Sequence, residues 1–343
     1  MKMKPENMDL STHYMGIPLK NPLIIGASNL VTDKEMVKKL EDAGASAIVY
    51  KSLFEEQINL ETAELEEDLH EYDERNAEMI DLFPKVEHSG PRAHLMAVKE
   101  LKESVSIPVI ASLNCIYDST WEEYAELLAS TGVDGLELNF YSTITDANKT
   151  PQEIESTRIE ILKRVKRKVQ IPVSVKLSPF YTNALEFINR LSEDGAEAFV
   201  LFNRLFQPDI NIWQEEFEMP YNLSHKGDSR LSLRYAGLLH GRLQASIAAN
   251  TGILDGEDLI AALLAGADVA QVVSTIYRNG PEQIGKMLSE LSDWMKEKGY
   301  NSIDDFKGKM AHSRITEPFA YKRGQYVDFL MKSKEYFKKY PVR

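Results

Sequence analysis

The sequence contains almost no cysteine and no long apolar run. Its 343 residues include a single cysteine, Cys115, which excludes an intrachain disulfide and leaves no cysteine-rich metal framework. No stretch approaches the roughly 20 apolar residues of a membrane-spanning helix, and residues 1–10 are not followed by the apolar core of a signal peptide. These absences predict a cytoplasmic protein with no membrane partner.

Basic residues are fewer than acidic residues. The chain has 40 Lys and Arg against 53 Asp and Glu, which gives a net charge of −13 at neutral pH. Such a charge repels phosphate backbones and anionic lipid headgroups, so nucleic acid is not an expected partner. The seven histidines show no metal-ligand spacing, and we expect no metal site.

Short apolar runs alternate with longer amphipathic segments along the whole chain, as expected for βα units around a parallel sheet. Eight such units predict one (β/α)8 TIM barrel domain over residues 1–343. A doubly wound open sheet is the alternative, although no GxGxxG follows the first run. The runs are Pro22–Ser28, Ser46–Ser52, Pro108–Leu113, Gly135–Phe140, Val173–Ser178, Ala198–Asn203, Ala245–Thr251 and Asp268–Ser274.

Local signals mark where the helices between these runs begin and end. Thr32 with Glu35, Ser119 with Glu122 and Thr150 with Glu153 have capping-box spacing, and glycines at 44, 132, 195 and 266 separate a helix from the next run.

Three segments are longer than ordinary loops. They are an acidic insertion at about 53–90 after strand 2, a loop at about 204–230 after strand 6, and a C-terminal tail at 309–343.

Polar residues follow almost every predicted strand, and in a barrel these strand ends meet at one mouth. Lysines and carboxamides placed there are costly to desolvate without a partner, which predicts a ligand rich in carbonyl and phosphate oxygens. The residues are Ser28, Asn29, Lys51, Ser52, Asn114, Asn139, Lys176, Asn203, Thr251, Gly252, Ser274 and Thr275.

Several stretches resemble the dihydroorotate dehydrogenase family of flavin barrels, over nearly the whole chain to about residue 308. The stretches are NPLIIGASNL at 21–30, IVYKS at 48–52, LELNF at 136–140, VSVKLSP at 173–179, NTGILDGEDLIAALLAGADVAQVVSTIYRNGP at 250–281 and GYNSIDDFKGK at 299–309. The resemblance implies that the cofactor is flavin mononucleotide (FMN), held through its phosphate at the ends of the seventh and eighth strands.

The resemblance also implies roles for individual residues. Asn139 and Asn203 would contact substrate, and Ser142, after the fourth strand, stands where the family has its Cys or Ser base. Lys176 or Lys51, the two candidate catalytic lysines, would stabilise the charge that develops on the reduced flavin. Cys115 follows a different strand and is expected to be a bystander. The implied flavin contacts are Ala27, Ser28, Lys51, Ser52, Asn139, Lys176, Gly252, Ser274 and Thr275.

The implied reaction is the oxidation of dihydroorotate to orotate in pyrimidine biosynthesis, or of a related small substrate, with hydride transfer to the flavin. Two family motifs are altered, because the proline and second asparagine after Ser142 are missing and the substrate loop after the second strand is acidic. Two alternatives remain open: a Schiff-base aldolase or lyase using Lys176, and a non-catalytic flavin-bearing subunit. A homodimer or a soluble redox partner is a further expectation.

Overall fold

The computed structural model describes residues 8–56, 58, 91–115, 120–142, 144–204, 208–218, 223–316 and 321–332. Most of the acidic insertion predicted at 53–90 lies outside these residues, as does the end of the C-terminal tail. Ser119, one of the predicted helix caps, also lies outside them.

A closed barrel of eight parallel strands forms the centre of the fold, in the order β11-β12-β3-β4-β5-β6-β7-β8. Each predicted apolar run overlaps one barrel strand, and β4 and β5 extend past the ends of their runs. This overlap confirms the (β/α)8 fold. The strands of the chain are β1 (Thr12–Tyr14), β2 (Ile17–Leu19), β3 (Leu23–Ile25), β4 (Ala47–Phe54), β5 (Val109–Asn114), β6 (Gly135–Asn139), β7 (Val173–Leu177), β8 (Ala198–Leu201), β9 (Asp209–Asn211), β10 (Glu216–Glu218), β11 (Ser246–Asn250) and β12 (Val269–Val272).

Helices cover the outside of the barrel and bury the outward faces of its strands. Because both faces of a parallel sheet are covered, the strands are continuous apolar runs rich in Val, Ile, Leu and Ala. The described helices are α1 (Lys34–Asp42), α2 (Arg92–Ser104), α3 (Thr120–Ser130), α4 (Pro151–Lys168), α5 (Ala184–Glu193), α6 (Arg230–Leu239), α7 (Gly256–Ala265), α8 (Ser274–Asn279), α9 (Gln283–Lys298) and α10 (Gly324–Met331).

The barrel interior has an apolar lower half and a polar upper half. Its lower half is filled by small and β-branched side chains from the strands, together with Tyr14, Met15 and Leu19 of the antiparallel β1–β2 hairpin. The hairpin therefore closes the end of the barrel opposite the mouth. Above this layer the buried residues are Ser112, Glu137, Ser174, Lys176 and Gln271.

Helix boundaries follow the predicted signals, with one correction. All four predicted glycines have positive φ values, between 85° and 119°. Thr150 and Glu153 form the predicted capping box of α4, with the Thr150 amide 2.7 Å from the Glu153 carboxylate. The prediction of Thr32 as the cap of α1 is wrong: Asp33 accepts the Glu35 amide at 2.9 Å, and the Thr32 hydroxyl instead donates to Asn29 O.

The long loop after β8 carries the β9–β10 hairpin, and the chain after residue 308 packs back onto the barrel helices. The amides of Met310 and His312 donate to Leu264 O and Gly237 O, at 2.8 and 2.9 Å. Tyr321 donates to Met310 O at 2.7 Å, which ties the segment before α10 to the same surface. Among the described helices, none is long and apolar enough to cross a bilayer.

Removing the α1 cap tests the corrected boundary. Asp33→Ala should lower the free energy of unfolding by about 1 kcal/mol, because the carboxylate that satisfies the Glu35 amide is lost. Thr32→Ala removes a hydroxyl that caps no helical amide and serves as the matched control. Urea unfolding of both variants measures the difference, and a larger loss for Thr32→Ala would place the cap at Thr32 after all.

Candidate functional site

The polar upper half of the barrel surrounds one fully buried carboxylate, Glu137 of β6. Its Oε2 accepts from Gln271 Nε2 at 2.9 Å, and its Oε1 accepts from Ser112 Oγ at 3.3 Å. Lys176 Nζ of β7 lies 3.7 Å from the same Oε1. These partners come from β12, β5 and β7, so the carboxylate joins strands from different parts of the barrel wall.

Hydrogen bonds continue from this carboxylate up to the mouth. Ser112 Oγ lies 2.7 Å from Ser52 Oγ, and Asn139 Nδ2 donates to Ser52 Oγ at 3.4 Å. Asn203 Nδ2 in turn donates to Asn139 Oδ1 at 2.5 Å. The structure therefore brings together three predicted site residues, Ser52, Asn139 and Asn203, in one network.

Lys176 has unused hydrogen-bonding capacity although it is buried. Its side chain is 9% exposed, and its contact with Glu137 is an ion pair longer than a hydrogen bond. Within the described residues, no acceptor lies at hydrogen-bond distance from its ammonium group. Because an ammonium carries three donors, Lys176 can donate to a ligand bound above it.

Lys51 and Ser52 lie at an irregularity near the end of β4, where the pairing with β5 shifts between Tyr50 and Leu53. Such bulges re-aim side chains next to functional sites. Ser52 is buried and bonded to the network described above, whereas Lys51 is half-buried. The structure therefore places Lys51 beside the mouth and gives it no bond to Glu137 or Lys176 among the described contacts.

Ala27 and Ser28 follow β3 and are both half-buried at the same end of the barrel. The Ser28 hydroxyl donates to Gly26 O at 3.3 Å, which stabilises the turn that leaves the strand. An Ala-Ser turn of this kind offers backbone amides and carbonyls to a flat ligand. Their predicted contact with flavin stays a prediction.

The ends of β11 and β12 form the predicted phosphate site. Thr251 and Gly252 are consecutive residues with positive φ, 71° and 77°, so the backbone turns sharply as it leaves β11. Ser274 accepts the Ser224 amide at 2.9 Å and keeps its own hydroxyl proton for a ligand. Thr275 donates its hydroxyl to Leu254 O at 2.6 Å, so its side chain supports the loop instead of facing a phosphate.

Ser142 is not part of the hydrogen-bond network that runs from Glu137 to Asn203. It is exposed, and its Oγ accepts from Arg158 Nη2 of α4 at 2.6 Å. The Arg158 guanidinium also bonds Tyr181 and lies over the rings of Tyr181 and Phe140, 5.2 and 5.8 Å from their centroids. Two cavities of about 350 and 460 Å³ border Ser142 on this outer side of the barrel.

Sequence reasoning missed Glu137, Ser112, Gln271 and Arg158. A signal for Glu137 was present, because a charged residue inside an apolar strand, two positions before Asn139, shares the inward face with it.

Cys115 is buried and lines one of the outer cavities, beside Trp121 and Phe140. Burial raises the pKa of its thiol, which favours the unreactive protonated form and supports the bystander prediction.

The donors at the mouth fit a flavin better than a purely apolar ligand. The pyrimidine end of an isoalloxazine ring presents carbonyl oxygens and ring nitrogens, which match the free donors of Lys176 and the carboxamide of Asn139. A cavity of about 310 Å³ borders Asn203, Arg204, Asp228 and Thr251 at the ends of β8 and β11. The volume of this cavity is sufficient for a small molecule.

Gly252 should not tolerate a side chain. A Cβ atom there would lie 2.3 Å from Ser229 N, in addition to the strain of a positive φ. Gly252→Ala should therefore lower the free energy of unfolding by about 3 kcal/mol. Gly132→Ala is the control, because Gly132 also has a positive φ but nothing within 4 Å of its Cβ position, and it should cost about 1 kcal/mol. Equal losses in chemical denaturation would contradict the close approach at Gly252.

The burial of His94 in α2 leads us to expect a loss of stability in acid. Burial, reinforced by the charge of Lys51, lowers the pKa of His94 from 6.5 to about 4, and its ring packs edge-on against Tyr50 at 5.2 Å. The folded state therefore disfavours the protonated ring. The stability that depends on the neutral ring is intact above pH 6.5 and is lost as the pH falls toward 4, by about 3 kcal/mol in total.

The test compares the pH dependence of unfolding in two histidine variants. His94→Gln should flatten the loss between pH 6.5 and 4, whereas His13→Gln, at an exposed position, should leave the slope unchanged. Urea titrations at several pH values measure both slopes. Identical slopes in His94→Gln and the unaltered protein would show that His94 does not carry the effect.

Comparison with known proteins agrees with this geometry. A catalytic subunit of dihydroorotate dehydrogenase B (NAD(+)) from Thermoplasma volcanium is 26% identical over 313 residues, covering 88% of this chain and 98% of that protein. The NAD-dependent dihydropyrimidine dehydrogenase subunit PreA of Escherichia coli is 26% identical over 330 residues, covering 90% and 78% respectively. The family described as dihydroorotate dehydrogenase matches residues 86–295, more than half of the sequence. The chain belongs to the dihydroorotate dehydrogenase family, whose enzymes are flavin-dependent oxidoreductases acting on CH–CH bonds.

Proposed function

We propose that the protein is an FMN-dependent oxidoreductase that oxidises a CH–CH bond in a small dihydropyrimidine, with dihydroorotate as the first candidate. The observation that carries the proposal is the buried Lys176 ammonium, which has free donors and lies at the strand end paired with Asn139. A buried cation with spare donors beside a carboxamide suits a ring edge that gains negative charge. When bound, FMN would supply the acceptor for the hydride that leaves the substrate.

Several residues of the mouth would bind and orient the cofactor and substrate. Lys176 and Asn139 would hold the pyrimidine end of the ring, while Thr251, Gly252 and Ser274 would offer amides and a hydroxyl to the phosphate. Asn203 borders the neighbouring cavity and would contact the substrate. Ala27, Ser28, Lys51 and Ser52 complete the wall, and Thr275 would contribute through its backbone.

Ser142 remains the candidate base, with Arg158 as its supporting group. A serine hydroxyl is a weak base, but a guanidinium that donates to Oγ stabilises the deprotonated oxygen. Ser142 would first release its hydroxyl proton to water, since it is exposed. The deprotonated Oγ would then take the proton from the carbon next to the one that loses hydride. This role requires the loop after β6 to carry Ser142 over the mouth when substrate binds.

The relatives also suggest a redox partner. The Thermoplasma volcanium protein is named as an NAD(+)-type catalytic subunit, and the Escherichia coli protein is named as a subunit. We infer that this chain passes electrons from its flavin to a separate partner protein. A homodimer stays a prediction.

Reconstitution with FMN tests the proposal. The purified protein should bind FMN, and dihydroorotate or dihydrouracil should bleach the flavin absorbance under anaerobic conditions. Lys176→Gln should weaken FMN binding by at least about tenfold and slow the bleaching by about a hundredfold, because one charge-stabilising donor is lost. Lys39→Gln, which removes an exposed lysine of α1, should change neither value.

Two results would contradict the proposal. Absence of FMN binding by the folded protein would exclude flavin chemistry. Reductive trapping of a carbonyl compound on Lys176 with borohydride would instead support the Schiff-base alternative. Bleaching by dihydrouracil but not by dihydroorotate would retain the reaction class and change the substrate.

A further inference from the structure

Glu137, at the buried end of the hydrogen-bond network, determines which group donates and which accepts at each bond. A carboxylate only accepts hydrogen bonds, so Ser112 must donate its proton to Glu137 Oε1 at 3.3 Å. Ser112 Oγ must then accept from Ser52 Oγ at 2.7 Å. Each serine has one proton to donate, and both protons therefore point down toward Glu137.

This direction passes to the two carboxamides at the mouth. The Ser52 proton is already used, so Ser52 Oγ accepts from the Asn139 amide nitrogen at 3.4 Å. Asn139 then presents its oxygen to Asn203, which donates through Nδ2 at 2.5 Å. Among the described residues nothing donates to Asn203 Oδ1, so that oxygen is left for a ligand in the cavity that Asn203 borders.

We propose that Glu137 is a positioning residue that fixes the amide orientation of Asn139 and Asn203, so that Asn203 presents an acceptor to the substrate. The ligand group at that position must therefore carry a hydrogen-bond donor, which in a dihydropyrimidine or its oxidised product is a ring N–H. This inference rests on the proposed function for the identity of the ligand. The direction of the network itself follows from the residues.

A carboxylate is required at this end because a neutral group would allow the network to reverse. A glutamine at 137 could donate to Ser112, which would then donate to Ser52, and both carboxamides would turn over. Asn203 would in that case present its nitrogen and repel an N–H donor. Lys176 and Gln271, which compensate the buried charge at 3.7 and 2.9 Å, allow the carboxylate to persist without solvent.

Two variants and one control test this role in the FMN-loaded protein. Glu137→Gln allows the network to reverse, and Ser112→Ala interrupts it while leaving the contact between Glu137 and Lys176. Glu41→Gln is the matched control, because Glu41 is also a buried carboxylate that accepts from a serine, Ser106, but lies outside the network. Thermal unfolding of each variant checks that it folds.

The readout is the ratio of affinities for orotate and for its N-methylated derivatives, measured by calorimetry. The unaltered protein and Glu41→Gln should prefer orotate, because its ring N–H groups are donors and methylation removes one. The preference should fall at least about tenfold in Glu137→Gln and in Ser112→Ala, since the half-buried Asn203 is then no longer held with its oxygen toward the ligand. A merely structural role would lower the melting temperature without moving this ratio.

The outcomes separate this inference from the proposed function. If the unaltered protein binds orotate and the ratio is unchanged in both folded variants, the positioning role is overturned alone. If either variant fails to fold, the other decides. If the unaltered protein binds FMN but neither orotate nor its derivatives, the proposed substrate class fails and takes this inference with it.

Discussion

A single buried carboxylate determines the character of the upper half of the barrel. Glu137 is fully buried, and a charge in that position is tolerated only with close polar partners. Lys176, Gln271 and Ser112 supply them from three other strands. The requirement to satisfy one acid thus explains why polar groups penetrate a barrel whose lower half is packed with apolar side chains.

The register of the strands places the polar partners of Glu137 next to the ligand site. Asn139 pairs with Lys176 across β6 and β7, and Glu137 pairs with Ser174 one step below. Residues two apart on a strand face the same side, so the acid and the carboxamide of β6 point into the barrel in successive layers. The register of β6 against β7 therefore both surrounds the buried charge with polar partners and places hydrogen-bond donors at the mouth.

The sequence predicts features whose causes are local and misses those whose causes are distant. The eight strands were predictable because burial on both faces leaves continuous apolar runs, and the Thr150 cap because its partner lies three residues away. Thr32 was confused with Asp33 because both residue types cap helices. The charge of Glu137 inside an apolar strand was a local signal, but its role depends on Gln271, which lies 134 residues along the chain. The contact of Ser142 with Arg158 depends on the packing of α4. The residue-by-residue roles in FMN binding stay predictions.

The closure of the lower end by Tyr14, Met15 and Leu19 has a kinetic consequence. With that end filled, whatever reaches the interior enters and leaves through the mouth. Any small molecule bound in the polar upper half must then enter and leave through the same opening, so a ligand that occupies the opening blocks the exchange of one held beneath it.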